Sequence, residues 1–231
     1  MKVHTESVRL GGMPAHVARP DDGAPAPAVL VIMEAFGLNR HIKAVAERVA
    51  AEGYVTLAPD LYWRGGAGRT AGYDQLNDAI GMMSATKDAE LVADVASAIG
   101  FLEQQAYVRA DRIGITGFCM GGRVSYLAAC ELPTKIKAVA PFYGGALPID
   151  KTAKLRAPVL AFFGSDDQWI PPAVIEQLKQ EAAQPGKQVE VVVYPGAPHG
   201  FFCNERDSYR AEAAQDAWGR LTKFLAAHLK K

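Results

Sequence analysis

Three side chains with the right chemistry for acyl transfer stand in three short, glycine-marked stretches. Cys119 lies in Gly117-Phe118-Cys119-Met120-Gly121-Gly122. Asp167 lies in Gly164-Ser165-Asp166-Asp167-Gln168-Trp169-Ile170-Pro171, and His199 in Pro198-His199-Gly200-Phe201. An imidazole can hold a thiol as thiolate or take its proton, and later activate the hydrolytic water. A carboxylate fixes the imidazole tautomer and stabilises the imidazolium. Attack of the Cys119 thiolate on an ester would give a thioester, which water then cleaves.

The spacing around Cys119 says how such a thiol would be presented. A short apolar run, residues 112–116, precedes it, and residues 123–130 suit a helix. A small-x-nucleophile-x-small segment between a strand and a helix is the signature of a nucleophile elbow. The turn is so tight that the nucleophile takes strained backbone angles, and side chains two residues to either side would collide with neighbouring backbone. Gly117 and Gly121 remove that obstacle. The following helix offers its N-terminal N–H groups and dipole to a developing anion. Cysteine stands where most such elbows hold serine. The bland alternative is a small buried cysteine in a glycine-rich turn.

The elements that must position these residues follow from the apolar pattern. Residues 8–10 and 15–18 alternate around Gly11-Gly12 and predict an edge hairpin. Residues 20–27 are proline-rich and polar, a surface loop. Residues 28–33, 54–58, 112–116, 136–142, 159–163 and 189–193 are continuous apolar runs, the mark of strands covered on both faces. Helical spacing marks residues 39–52, with Asn39 as N-cap, and residues 73–83, 87–106, 172–183 and 207–230. Trp218, Leu221, Phe224 and Leu225 form the buried face of the last helix. The glycine-rich residues 64–72 and residues 144–154 read as loops. Strands alternating with helices mean a mostly parallel sheet with helices on both faces, in one domain over residues 1–231.

In such a sheet ligands bind beyond the carboxyl ends of the strands. Cys119, the Asp166-Asp167 pair and His199 each come just after a strand, in the chain order of the α/β-hydrolase triad. The acid of this fold usually stands in a Gly-x-x-Asp-x-x-(Val/Ile)-Pro frame, which selects Asp167 and leaves Asp166 to cap a turn. His4, His16, His41 and His228 fall in edge, helix or tail contexts and read as structural. The loop after the first central strand, Met33-Glu34-Ala35-Phe36-Gly37-Leu38-Asn39, supplies one oxyanion-hole N–H from Ala35, with Met120 supplying the other. Glu34 is unusual on leaving an apolar strand. It turns to solvent or pairs with Arg123, or else it contacts the Cys119 thiol.

Composition narrows the classes. Among 231 residues, Lys plus Arg and Asp plus Glu are 25 each, a formal net charge of zero. That argues against nucleic acid or an anionic membrane as main partner. No run of about 18 apolar residues occurs, and the first residues show no apolar core of signal-peptide length, so the cytoplasm is the simplest location. Three cysteines fit no metal motif. No metal or other cofactor is expected, and a monomer is favoured over an oligomer.

With these residues in place, the chain resembles the dienelactone hydrolase family. The matching pieces are Glu34 to Asn39, Pro59-Asp60-Leu61-Tyr62, the Cys119 elbow, Asp167 through Pro171, and His199-Gly200-Phe201. The resemblance implies a cysteine–histidine–aspartate hydrolase acting on enol-lactones, in which a glutamate hydrogen-bonds the resting thiol and takes its proton when substrate arrives. Those roles fall on Cys119, His199, Asp167 and Glu34. The best-known members grip a substrate carboxylate with one arginine before the long middle helix and another four residues after the histidine. Here those positions fall near residues 73–75 and on Cys203. Arg206 and either Arg64 or Arg69 are the substitutes, with Phe36, Trp169 and Phe201 as further candidates to line a small-ester or lactone pocket. A broad esterase or thioesterase without the clamp, and a non-catalytic binding domain, are the alternatives.

Overall fold

A computed structural model gives the protein's structure, in which residues 1–21 and 23–230 are described. Eight strands form one sheet: β1 (Val3–Leu10), β2 (Met13–Pro20), β3 (Ala26–Ile32), β4 (Val55–Pro59), β5 (Val108–Phe118), β6 (Ala138–Phe142), β7 (Val159–Gly164) and β8 (Val189–Tyr194). Their spatial order is β1-β2-β4-β3-β5-β6-β7-β8. β1 and β2 pair antiparallel, as do β2 and β4, and all other neighbours are parallel. The expected edge hairpin is therefore present, with longer arms than its alternation shows.

The helices are α1 (Arg40–Ala51), α2 (Leu76–Ser84), α3 (Asp88–Glu103), α4 (Met120–Glu131), α5 (Pro172–Ala182) and α6 (Ala211–Leu229). Asn39 caps α1, its Oδ1 accepting the Ile42 N–H at 3.1 Å. α1 packs on β2, β3 and β4 and α6 on β5, β6 and β7, with Arg48 of α1 stacked 4.1 Å over the Trp218 ring of α6. α3 and α4 pack together on the sheet's centre, and α5 covers β8. Burial of the continuous apolar strands explains the layering: β3 to β7 have almost no exposed side chain in their parallel region. The fold is the α/β-hydrolase architecture. Among the described residues no helix is long and apolar enough to cross a membrane.

Several boundaries differ from the sequence pattern. β2 runs to Pro20 and β3 starts at Ala26, so the expected 20–27 loop shrinks; within it Asp22 lies outside the described residues. α2 begins at Leu76, three residues late, because Gly72 and Gln75 close a turn in which the Gln75 side chain accepts the Gly72 N–H at 2.8 Å. Tyr73 is thereby freed from the helix and reaches the site. Short 3-10 turns, Trp63–Gly65 and Ile149–Lys154, sit at or inside stretches that read as loops.

β3 and β5 are neighbours, and the chain leaves them in opposite directions across the sheet, toward β4 and toward β6. That reversal opens a crevice at their carboxyl ends. The Glu34 loop stands on one side of it and Cys119 on the other. A row of aromatic rings forms the floor beside it, with Phe118 and Phe142 centroids 4.8 Å apart and Phe142 and Phe162 4.3 Å apart. Each buried ring contributes about 1.5–3 kcal/mol through removal from water.

Candidate active site

Cys119 has φ 55° and ψ −116°, outside the regions that L-residues favour. The surroundings fix it there. Its N–H donates to the Phe142 carbonyl at 3.0 Å, and its own carbonyl accepts from Gly122 and Arg123 at 3.0 and 3.2 Å. A Cβ on Gly121 would lie 2.6 Å from the Met33 carbonyl oxygen and closer still to that of Ile32. A Cβ on Gly117 would run into the Gly121 carbonyl. These are the close approaches that the two glycines permit, and strain of this kind, of order 1–3 kcal/mol, persists only where neighbours over-determine it.

Asp167 and His199 meet because the loops after β7 and β8 are bonded together. Ser165 N–H donates to the Tyr194 carbonyl at 2.9 Å, Asp166 N–H to Ala197 at 3.1 Å, and Gly196 N–H to Ser165 Oγ at 2.8 Å. His199 Nδ1 then lies 2.8 Å from Asp167 Oδ2, while Asp167 Oδ1 accepts the Trp169 N–H at 2.9 Å. The Asp167 side chain is only 1% exposed. Asp166 is exposed, accepting the Ser165 hydroxyl at 2.8 Å. Burial alone would lower the His199 pKa, but hydrogen bonds to Asp167 and Cys119, with their charges, outweigh it and raise it to about 9. The same interaction puts Cys119 beside the ring.

Glu34 is fully buried. Its carboxylate accepts from the Tyr73 hydroxyl at 3.3 Å and the Tyr143 hydroxyl at 3.4 Å, with Arg206 Nη1 at 3.6 Å. Burial pushes its pKa up, against the pull of Arg206, His199 and the two tyrosines. Neither sequence reading of Glu34 describes this arrangement. Arg123 instead forms a two-pronged pair with Asp88 at 2.7 and 2.8 Å. Among the described residues, the Glu34 hydrogen bonds end on the tyrosines and none reaches the Cys119 sulfur. The Tyr73 hydroxyl also accepts from Asn39 Nδ2 at 3.1 Å and from the Cys203 thiol at 3.2 Å.

Of the candidate substrate residues, Arg206 and Phe36 stand at the site. The Arg206 guanidinium lies 5.3 Å over the Phe36 ring and 5.5 Å over Tyr73, largely buried, and its Nη1 has no hydrogen-bond partner. Arg64 and Arg69 do not join them. Arg64 is pinned to Asp94 through both its terminal nitrogens, lying 4.6 Å over the Trp63 ring, and Arg69 Nη1 donates to the Gly65 carbonyl at 3.2 Å. Phe201 is fully buried between Tyr143 and Tyr194, so it supports the His199 loop and offers no surface to a substrate. Trp169 is 59% exposed beside Asp167. The Tyr62 hydroxyl touches both oxyanion-hole candidates, lying 2.9 Å from the Ala35 carbonyl oxygen and 3.5 Å from the Met120 sulfur.

Tyr62, Tyr73, Tyr143 and Cys203 are the site residues that the sequence reading gives no role. Tyr143 is held at φ 36° with its ring edge-on to His199, centroids 5.1 Å apart. A tyrosine after an apolar run carries no sequence mark of such a position. Only the motif around Tyr62 gives a signal. Among the described residues no group of three or more metal-binding side chains gathers.

Residues 13–229 match the dienelactone hydrolase family. A protein of Methylorubrum extorquens provisionally named carboxymethylenebutenolidase is 40% identical over 226 residues, covering 93% of this chain and 77% of that one. One of the same provisional name from Synechocystis is 39% identical over 240 residues, covering 99% and 96%. A crystal structure from Klebsiella pneumoniae, provisionally named a dienelactone hydrolase, superposes with a TM-score of 0.89 at 32% identity, covering 99% of this chain and all of that one. The chain belongs to the dienelactone hydrolase family and is a hydrolase of that kind.

Proposed function

We propose that the protein hydrolyses small esters or lactones through Cys119, His199 and Asp167, by way of a thioester. The Cys119 thiol gives its proton to His199 and the sulfur attacks the carbonyl carbon; the π electrons move to oxygen, where the Ala35 and Met120 N–H groups receive the charge. Collapse expels the alkoxide, which takes a proton from His199 and leaves the acyl group on sulfur. His199 then removes a proton from water; the hydroxide displaces the thiolate, and a carboxylic acid leaves. The supporting observation is the 2.8 Å Asp167–His199 pair lying beside a strained Cys119 at one end of the sheet.

A broad esterase is the second reading, favoured because Arg64 and Arg69 are engaged elsewhere and Arg206 alone is left to meet a substrate anion. The test is a panel of neutral p-nitrophenyl esters, a carboxylate-bearing ester and a dienelactone, with wild type and Cys119→Ala. Loss of all turnover in Cys119→Ala supports the thioester route, and near wild-type turnover refutes it. A preference for carboxylate-bearing substrates that Arg206→Gln abolishes separates the two readings.

A further inference from the structure

The segment Asp60-Leu61-Tyr62 has no part in the triad, yet Tyr62 is buried in the middle of the site. Its hydroxyl donates to the Ala35 carbonyl at 2.9 Å and lies 3.5 Å from the Met120 sulfur. Its backbone is fixed in turn, since Asp60 Oδ1 accepts the Tyr62 N–H at 3.0 Å and Oδ2 accepts the Gly68 N–H at 2.7 Å. Burial foremost, then the charges of Cys119 and Asp60, push the Tyr62 pKa up, so the hydroxyl keeps its proton and remains a donor.

The Ala35 carbonyl is a particular acceptor. Gly37 N–H donates to the Glu34 carbonyl at 3.1 Å, closing a four-residue turn over Glu34, Ala35, Phe36 and Gly37. The peptide between Ala35 and Phe36 is the central plane of that turn, the one whose rotation distinguishes the two common turn types. A full flip would need positive φ at Phe36, which a bulky residue disfavours and which Phe36 does not have. Rocking of the plane is not blocked in that way. It changes ψ of Ala35, and the shift is passed through the Ala35 Cα, which the two peptide planes share, to φ of Ala35, on which the aim of the Ala35 N–H depends. On the other side of Ala35, the Glu34 side chain is already anchored by Tyr73, Tyr143 and Arg206. The Tyr62 hydroxyl is the anchor on the near side.

Resting on the thioester reading above, we infer that Tyr62 is a positioning residue of the oxyanion hole, locking the Ala35–Phe36 peptide and tying the Ala35 loop to Met120 at the elbow. Oxyanion donors work only when held 2.7–3.1 Å from where the charge develops, so small angular freedom lowers the rate while substrate still binds. Loss of a whole donor costs about 10²–10³ in kcat. Loosening one costs less, about 10- to 100-fold.

The experiment uses Tyr62→Phe, which keeps the ring and removes only the oxygen. With p-nitrophenyl acetate, kcat should fall about 10- to 100-fold with KM within about twofold. An aryl trifluoromethyl ketone, which gives an oxyanion adduct with Cys119, should inhibit the variant more weakly by a similar factor. Alkylation of Cys119 by iodoacetamide forms no oxyanion and should proceed at the wild-type rate, while protection of the buried Cys130 and Cys203 reports that the variant is folded. Unchanged turnover overturns the proposal. So does a parallel fall in turnover and alkylation, which would place Tyr62 on the thiol instead. Failure of the underlying reading shows elsewhere, as turnover retained by Cys119→Ala.

Discussion

Replacing Asp167 by asparagine probes the site through its hydrogen-bond geometry. Asp167 Oδ1 is committed to the Trp169 N–H at 2.9 Å and Oδ2 to His199 Nδ1 at 2.8 Å. Asparagine has one carbonyl oxygen, and the Trp169 N–H can only donate, so the oxygen turns to Trp169 and the amide NH2 faces His199. Nδ1 must then accept, and the ring proton moves to Nε2, the nitrogen that should receive the thiol proton. The serine-protease triad supplies the measured precedent for this inversion, about 10⁴ in kcat, and the same order is expected here. The variant also loses the negative charge that helps to raise His199 from its ordinary 6.5 to about 9, a displacement of roughly 3 kcal/mol shared between Asp167 and Cys119.

That displacement has a signed consequence for stability. Because the folded-state pKa lies above the unfolded value, the His199 contribution is fully present below pH 6.5 and disappears as pH rises through about 9. Thermal melts of wild type from pH 6 to 10 should show this decline, and melts of Asp167→Asn should show much less of it. Steady-state assays with a p-nitrophenyl ester measure the kinetic half. A loss below tenfold in Asp167→Asn refutes the reasoning, as does a greater loss in Asp166→Asn, whose exposed carboxylate should matter a few-fold at most.

The remaining predictions use simpler assays. Native protein should show one thiol open to Ellman's reagent near pH 8 and three after denaturation, because Cys130 and Cys203 are buried and held protonated, chiefly by burial, with pKa values of about 11; rapid labelling of either buried thiol would contradict this. Gly121→Ala should lower stability by about 2 kcal/mol or more in thermal or urea unfolding, since its methyl meets two backbone carbonyls that cannot yield. Glu34→Gln should leave iodoacetamide inactivation of Cys119 unchanged near neutral pH while destabilising the fold by about 3 kcal/mol, because Arg206 stays buried without its counter-charge. Faster alkylation would put the resting carboxylate on the sulfur.

The residues of the candidate site were legible in the linear sequence. An elbow needs glycine two residues before and after its nucleophile, and backbone sterics allow little else there, so Gly117 and Gly121 mark Cys119 without any fold. Continuous apolar runs mark the central strands for an equally local reason, since a strand covered on both faces has no polar side to show. Cys119, Asp167 and His199 each come just after one of those strands, and the Gly-x-x-Asp frame separates Asp167 from Asp166.

Contacts between side chains far apart in sequence were decided only by the tertiary structure. Glu34 meets Tyr143 across 109 positions and Tyr73 across 39. Nothing local requires a carboxylate after an apolar strand to face two hydroxyls and a guanidinium in place of solvent. Arg64 and Arg206 are equivalent as letters, yet Asp94 lies within reach of one and Glu34 of the other. Tyr73 enters the site because Gly72 and Gln75 delay α2 by three residues, a turn whose closure outweighs the helical spacing of the segment. Period and glycine placement are properties of neighbours along the chain. The partner of a buried charge depends on which chain segments the sheet order brings together, and the partners of Glu34, which follows β3, come from segments after β4, β6 and β8.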